Sequence, residues 1–195
     1  MEFIDSILDK ITMYRVVLYY LLALIALGAL FGFLGIININ PLLLLFTTLL
    51  FVIFCWITNK IFSWVFEVPT NLESVYITAL ILALIIRPVS TFHDLPMIFW
   101  ASVLSMSSKY ILAINKKHIF NPVAIAVALT SLGFGGSANW WIGTSSLSPF
   151  VFLGGLLVIK KIRREDFIFT FLATAIITVL GFSFLSSNDL TNSLN

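Results

Sequence analysis

Residues 16–37 form 22 consecutive positions without a charged side chain. Wound as an α-helix, such a run reaches about 33 Å at 1.5 Å per residue, enough to cross a bilayer's hydrocarbon core. Residues 42–66 form a second long run, with Trp56 and Trp64 near its far end. Five more apolar segments follow, over residues 72–86, 97–114, 123–134, 150–162 and 167–185. With 60% hydrophobic and 10% charged residues, and a mean hydropathy of +1.08, the chain has too few charges for a water-soluble shell. The prediction is an all-α polytopic membrane protein with about five to seven transmembrane segments, short or half helices among them. Residues 1–185 read as one transmembrane helical domain, and residues 186–195 as a polar, disordered tail. The start, Met1-Glu2-Phe3-Ile4-Asp5, has no small-residue cleavage site ahead of the first run, so no removable signal peptide is expected.

Charge placement orients the chain. If all seven segments cross, ten of the eleven cations fall on one side. These are Lys10, Arg15, Lys60, Lys109, Lys116, Lys117, Lys160, Lys161, Arg163 and Arg164, with Arg87 alone opposite. The positive-inside rule makes that side cytoplasmic. Re-entry of one or both short segments moves a basic loop outward and fits worse. The expected location is the cell membrane (a bacterial inner membrane), multi-pass, with a cytoplasmic N-terminus. The net charge of +2 is set by topology rather than by a nucleic-acid patch, so the bilayer is the expected partner and nucleic acid is not.

One cysteine and two histidines narrow the chemistry. Cys55 lies in an apolar run and reads as a small buried hydrophobe; a single thiol excludes an internal disulfide and a four-cysteine cluster from this chain alone. His93 and His118 lie in loops, so no metal site is expected. No nucleophile and base pair up for hydrolysis. Redox chemistry here would need an organic cofactor.

The densest signal is Lys116-Lys117-His118-Ile119-Phe120-Asn121-Pro122. Asn is a preferred N-cap and Pro a preferred first helical residue. The helix that follows is short, and its positive dipole end at a membrane boundary is suited to hold an anionic group. The same residues also serve a plain capped helix after a cytoplasmic loop. Val68-Pro69-Thr70-Asn71-Leu72-Glu73-Ser74 opens the other short segment, where either Asn71 with Ser74 or Thr70 with Glu73 makes a cap. Gly28 and Gly32 form a small-xxx-small pattern that allows close helix approach, including approach by a second copy of the chain. Trp140 and Trp141 fit headgroup-level indoles, or a stacking surface for a ring. Arg87, His93 and Asp94 make the charged cluster of the outer side, readable as a turn held by Arg–Asp pairing.

Three stretches together resemble a known family. They are Val68-Pro69-Thr70 followed by Ser74 through Pro88, then Ser108-Lys109-Tyr110, then Lys117-His118-Ile119-Phe120-Asn121-Pro122-Val123-Ala124. The family is NqrB/RnfD, which comprises membrane subunits of the sodium-translocating NADH:quinone reductase and of the Rnf electron-transport complex. The resemblance covers about residues 68–185, with Gly154-Gly155-Leu156 as a further matching segment. It implies a urea-channel-like fold of inverted repeats, of which this chain holds about one. It further implies a non-catalytic electron-transfer subunit of an oxidoreductase or ion-translocating complex, with FMN or riboflavin as cofactor. Partners would be other redox subunits, a reductase domain, or a second copy supplying the missing half. Lys116, Lys117, His118, Asn121 and Pro122 are then the candidates to hold the flavin. Family members attach FMN to a Thr in a Ser-Gly-Ala-Thr-like motif; here Trp141-Ile142-Gly143-Thr144 keeps only Gly-Thr, leaving Thr144 as the nearest attachment point. A small-solute or ion channel of similar fold, without a redox group, is the other function class that fits.

Overall fold

A computed structural model describes residues 12–114, 117–134, 139–162 and 165–192. The described residues contain seven α-helices: α1 (Met13–Phe33), α2 (Pro41–Val65), α3 (Leu72–Ile85), α4 (Leu95–Ile111), α5 (Pro122–Phe134), α6 (Ser148–Ile162) and α7 (Glu165–Asn192). Each matches a predicted apolar segment to within a few residues, except at the far end of α7. Two helices, α1 with 21 residues and α2 with 25, are long and apolar enough to cross a membrane. At 14 and 13 residues, α3 and α5 reach only about 20 Å each, short of a full span.

One expectation is corrected. The predicted fourth segment stops at Ile111, and Ala113–Ile114 pairs antiparallel with Lys117–His118 in a two-stranded hairpin. The last helix, predicted over residues 167–185, runs from Glu165 to Asn192. The chain divides into two compact units, Met1–Gly154 and Gly155–Asn195.

The first unit is built on capped helices. Asn40 accepts from the amides of Leu42 and Leu43 at 2.9 and 3.3 Å, with Pro41 at the first helical position. Asn71 accepts from the Ser74 amide at 3.3 Å, so the Asn71–Ser74 cap is the one formed. Its core is apolar: Leu44, Phe51, Leu82 and Leu147 are fully buried. The buried hydroxyls bond inside their own helices. Ser102 donates to the Ile98 carbonyl at 2.8 Å, Ser105 to Ser102 at 3.0 Å, and Thr130 to Ala126 at 2.8 Å. That matters where no water competes, since an unsatisfied polar group in an apolar medium costs several kcal/mol.

Cross-links between helices fix which ends lie together. Arg15 donates to the Glu73 carboxylate at 3.0 Å, joining the starts of α1 and α3. Tyr110 donates its hydroxyl to Asn59 Oδ1 at 2.8 Å, joining the ends of α4 and α2. Lys109, beside Tyr110, reaches Ser74 near the start of α3. Arg15, Lys60 and Lys109 therefore gather at one end of the unit. At the other end, the Val89 amide donates to Thr47 Oγ1 at 2.9 Å, close to Arg87.

The second unit holds the rest of α6 and all of α7. Along α7, Thr170, Thr174 and Thr178 each donate to the carbonyl four residues back, at 2.7 to 2.8 Å. Phe169, Ile177 and Phe182 stand exposed on it.

Candidate functional site

In the first unit, a cavity of about 550 Å³ lies between α1, α3 and α5. Leu21 and Leu24 of α1, Ile81 and Ile85 of α3, and Val123 and Val127 of α5 supply its apolar wall. Tyr20, Asn121 and Trp140 are its polar-tipped members.

The cavity exists because two helices stop short. Beyond Ile85 the backbone turns extended at Ile86 and meets Pro88, which cannot continue a helix. The freed carbonyls find other donors. Asn139 and Trp140 both donate their amides to the Ile85 carbonyl, at 3.1 and 3.0 Å. The Trp141 indole Nε1–H donates to the Ala83 carbonyl at 2.9 Å. Trp140 sits at φ 32°, in the left-handed region, a strained conformation for a bulky residue. Trp141 is buried against Gly28. Of the two indoles, then, Trp141 is a core group rather than a headgroup anchor, while Trp140 faces the cavity and remains exposed.

At the other short helix, Asn121 Oδ1 accepts from the Val123 amide at 3.0 Å, confirming the predicted cap, and Pro122 is the first helical residue. Asn121 thus serves the helix and lines the cavity at once. On the far wall, the Tyr20 hydroxyl donates to the Val151 carbonyl at 2.9 Å, and its ring lies against Gly154 so closely that no side chain fits there.

Of the predicted site residues, the structure brings Asn121 to the cavity, with Pro122 beside it. Thr144 is exposed and does not line it; its carbonyl accepts from Leu147 and Ser148. Lys116 lies outside the described residues, as do the side chains of Lys117 and His118. Gly28, readable as an interface for a second copy, instead packs against Trp141 within the chain.

The outer cluster forms a turn, but not by Arg–Asp pairing. Asp94 Oδ2 accepts from the Ser90 and Thr91 amides at 2.8 and 2.9 Å and from the Ser90 hydroxyl at 3.0 Å. Among the described residues no Arg87–Asp94 ion pair is present. Partial burial opposes the charge on Asp94, and these donors outweigh it, holding the carboxyl below its ordinary range.

One group is not placed correctly by the sequence. Charge counting sets Lys109 among the boundary cations, yet it is half-buried and points into the bundle toward α3. Ser102, Ser105 and Lys109 follow the three- and four-residue spacing of one helix face, a signal that a cation shares a polar stripe rather than a rim. Among the described residues no group of three or more His, Cys, Asp or Glu side chains could hold a metal.

Compared with protein-family models, curated proteins and solved structures, the chain matches none.

Proposed function

We propose that this chain is a multi-pass membrane subunit of a flavin-dependent electron-transport system of the NqrB/RnfD kind. The observation that carries the reading is the cavity between α1, α3 and α5. It has the apolar, largely preformed character of a cofactor site, and its volume of about 550 Å³ accommodates a three-ring flavin. Trp140 offers an aromatic face, and Asn121 marks a helix start whose dipole favours an anionic group. Lys116 and Lys117 precede that start in sequence and would supply cations for a phosphate. When bound, the flavin supplies the electron-carrying chemistry; the chain's own residues exclude water and position the ring. The mainly apolar cavity wall supports a ring occupant over a conducted polar solute.

In this reading all seven helices serve the membrane domain, α1 and α2 as full spans and α3 to α6, at 13 to 17 residues, as partial segments. The end that gathers Arg15, Lys60 and Lys109 faces the cytoplasm. Electron donor and acceptor are separate redox subunits or a reductase domain. A second copy, completing the half-length repeat, is a further partner.

The test is the absorbance spectrum of the detergent-purified protein from a host with a flavin-attaching enzyme. A flavin spectrum is expected. Because Thr144 does not line the cavity, the flavin should separate from the chain on denaturation; a denatured protein band that stays fluorescent would move the site to Thr144. A colourless, folded protein would overturn the reading in favour of the channel class.

A further inference from the structure

Lys109 lies near the end of α4 with its ammonium held against α3. Nζ donates to the Ser74 carbonyl at 3.0 Å, to Ser74 Oγ at 3.1 Å and to Thr78 Oγ1 at 2.7 Å. Three acceptors meet the three hydrogens of an ammonium, and all three acceptors are neutral. Among the described residues no carboxylate stands within ion-pair distance of Lys109, because Glu73, one residue from Ser74, is engaged by Arg15. Behind the ammonium are the buried thiol of Cys55 and the buried hydroxyls of Ser102 and Ser105.

Among the described residues no anionic partner holds the charge. The titratable groups at this end are Tyr14 and Arg15 of α1, Cys55 and Lys60 of α2, Glu67 after it, Glu73 and Tyr76 of α3, and Tyr110 of α4; the hairpin carries Lys117 and His118 in its sequence, and α5 contributes none. Glu73 and Tyr110 already have partners, Arg15 and Asn59. An ionisable side chain inside an apolar bundle is costly, and such groups are commonly functional.

The hydrogen-bond shell serves both states of the amine. Thr78 Oγ1 gives its hydrogen to the Ser74 carbonyl at 2.8 Å, so toward Lys109 it acts as an acceptor. The Ser74 hydroxyl donates to no other described residue, so it is free to turn and donate to the nitrogen lone pair once a proton has left. We propose that Lys109 is a proton-binding site of the bundle, its nitrogen releasing and regaining a proton in place as the Ser74 hydroxyl switches from acceptor to donor. Only an N–H bond breaks and re-forms, the proton passes to water at the end where Arg15 is exposed, and no electron moves. The site does not depend on the flavin reading.

The experiment uses the whole protein in detergent, with lysine labelled at the side-chain nitrogen with ¹⁵N. The Lys109 signal is assigned by its absence from Lys109→Arg, and is followed over the pH range in which the fold persists. It should convert between ammonium and amine separately from the other lysines. Ser74→Ala should lower its proton affinity by about threefold, because the bond from the ammonium to the hydroxyl is charge-assisted and stronger than the one the amine accepts. A Lys109 signal that stays ammonium until the fold is lost overturns the proposal. So does one that titrates together with the solvent-facing lysines, or a midpoint that Ser74→Ala leaves in place.

Discussion

The Trp141 indole donates to the Ala83 carbonyl at 2.9 Å across 58 positions of sequence. That carbonyl belongs to the last turn of α3, where a continuing helix would have supplied its partner. The bond therefore replaces a helical hydrogen bond that the extended residue at 86 and Pro88 prevent. It ties the end of one short helix to the loop that closes the cavity. Trp141→Phe keeps most of the ring but leaves the buried carbonyl without this donor. The expected cost is about 1–3 kcal/mol, read as a lowered melting temperature of the detergent-solubilised protein. A melting temperature equal to that of the parent would mean that the bond adds nothing.

Gly28 is the other side of the same contact. A Cβ there would lie 2.7 Å from Trp141 Cη2 and 2.9 Å from Cζ3, closer than carbon atoms pack. Neither ring nor helix can retreat easily, since the indole is fixed by Ala83. Gly28→Ala should destabilise by about 1–3 kcal/mol, as overpacking does. In a Trp141→Phe background the smaller ring should relieve part of that cost, a coupling of about 0.5 kcal/mol or more. Strictly additive melting shifts in the double mutant would show that the two residues do not bear on each other.

The helices are legible in the sequence because each leaves a local mark: an apolar run, an Asn cap at Asn40, Asn71 or Asn121, and Pro at 41 or 122. The cap of Asn121 reads directly from Asn-Pro. The cavity it lines does not, because the cavity is the gap left between α1, α3 and α5 as they pack, a tertiary relation with no local signature. Gly28 shows the limit well. Its spacing to Gly32 is equally good for a second chain and for an indole arriving from residue 141, and only the fold decides. Lys109 is misplaced by charge counting for a related reason. Positive-inside counting treats a helix-end cation as solvent-facing, whereas the side chain is long enough to lie back along a Ser-rich face and reach α3.

Asp94 makes the outer turn pH-sensitive. Its carboxyl is held below the ordinary range, so the charged form is the one that the turn favours. The stabilisation is fully present above the unfolded value of about 3.9 and is lost as pH falls through the lower, folded value. The Ser90 and Thr91 amide resonances should shift together as pH is lowered, with a midpoint below that of an unperturbed aspartate. Asp94→Asn should abolish the transition. A midpoint at or above the ordinary value would show that these donors do not hold the carboxylate.

Asn121 carries both a structural and a functional expectation, and one variant separates them. Its side-chain oxygen satisfies the Val123 amide at 3.0 Å, so Asn121→Ala should cost about 1 kcal/mol of stability through the lost cap. Asn121→Ser keeps a capping oxygen and should restore most of that stability. If the cavity holds the flavin, the Ala variant should also retain less of it after size-exclusion chromatography, because the helix start that faces the ring is no longer fixed. The ratio of flavin to protein absorbance reads this directly. A stability loss with unchanged flavin content would leave Asn121 as a helix cap and move the cofactor away from α5. Loss of flavin in both variants at similar melting temperatures would instead place the asparagine amide itself against the bound ring.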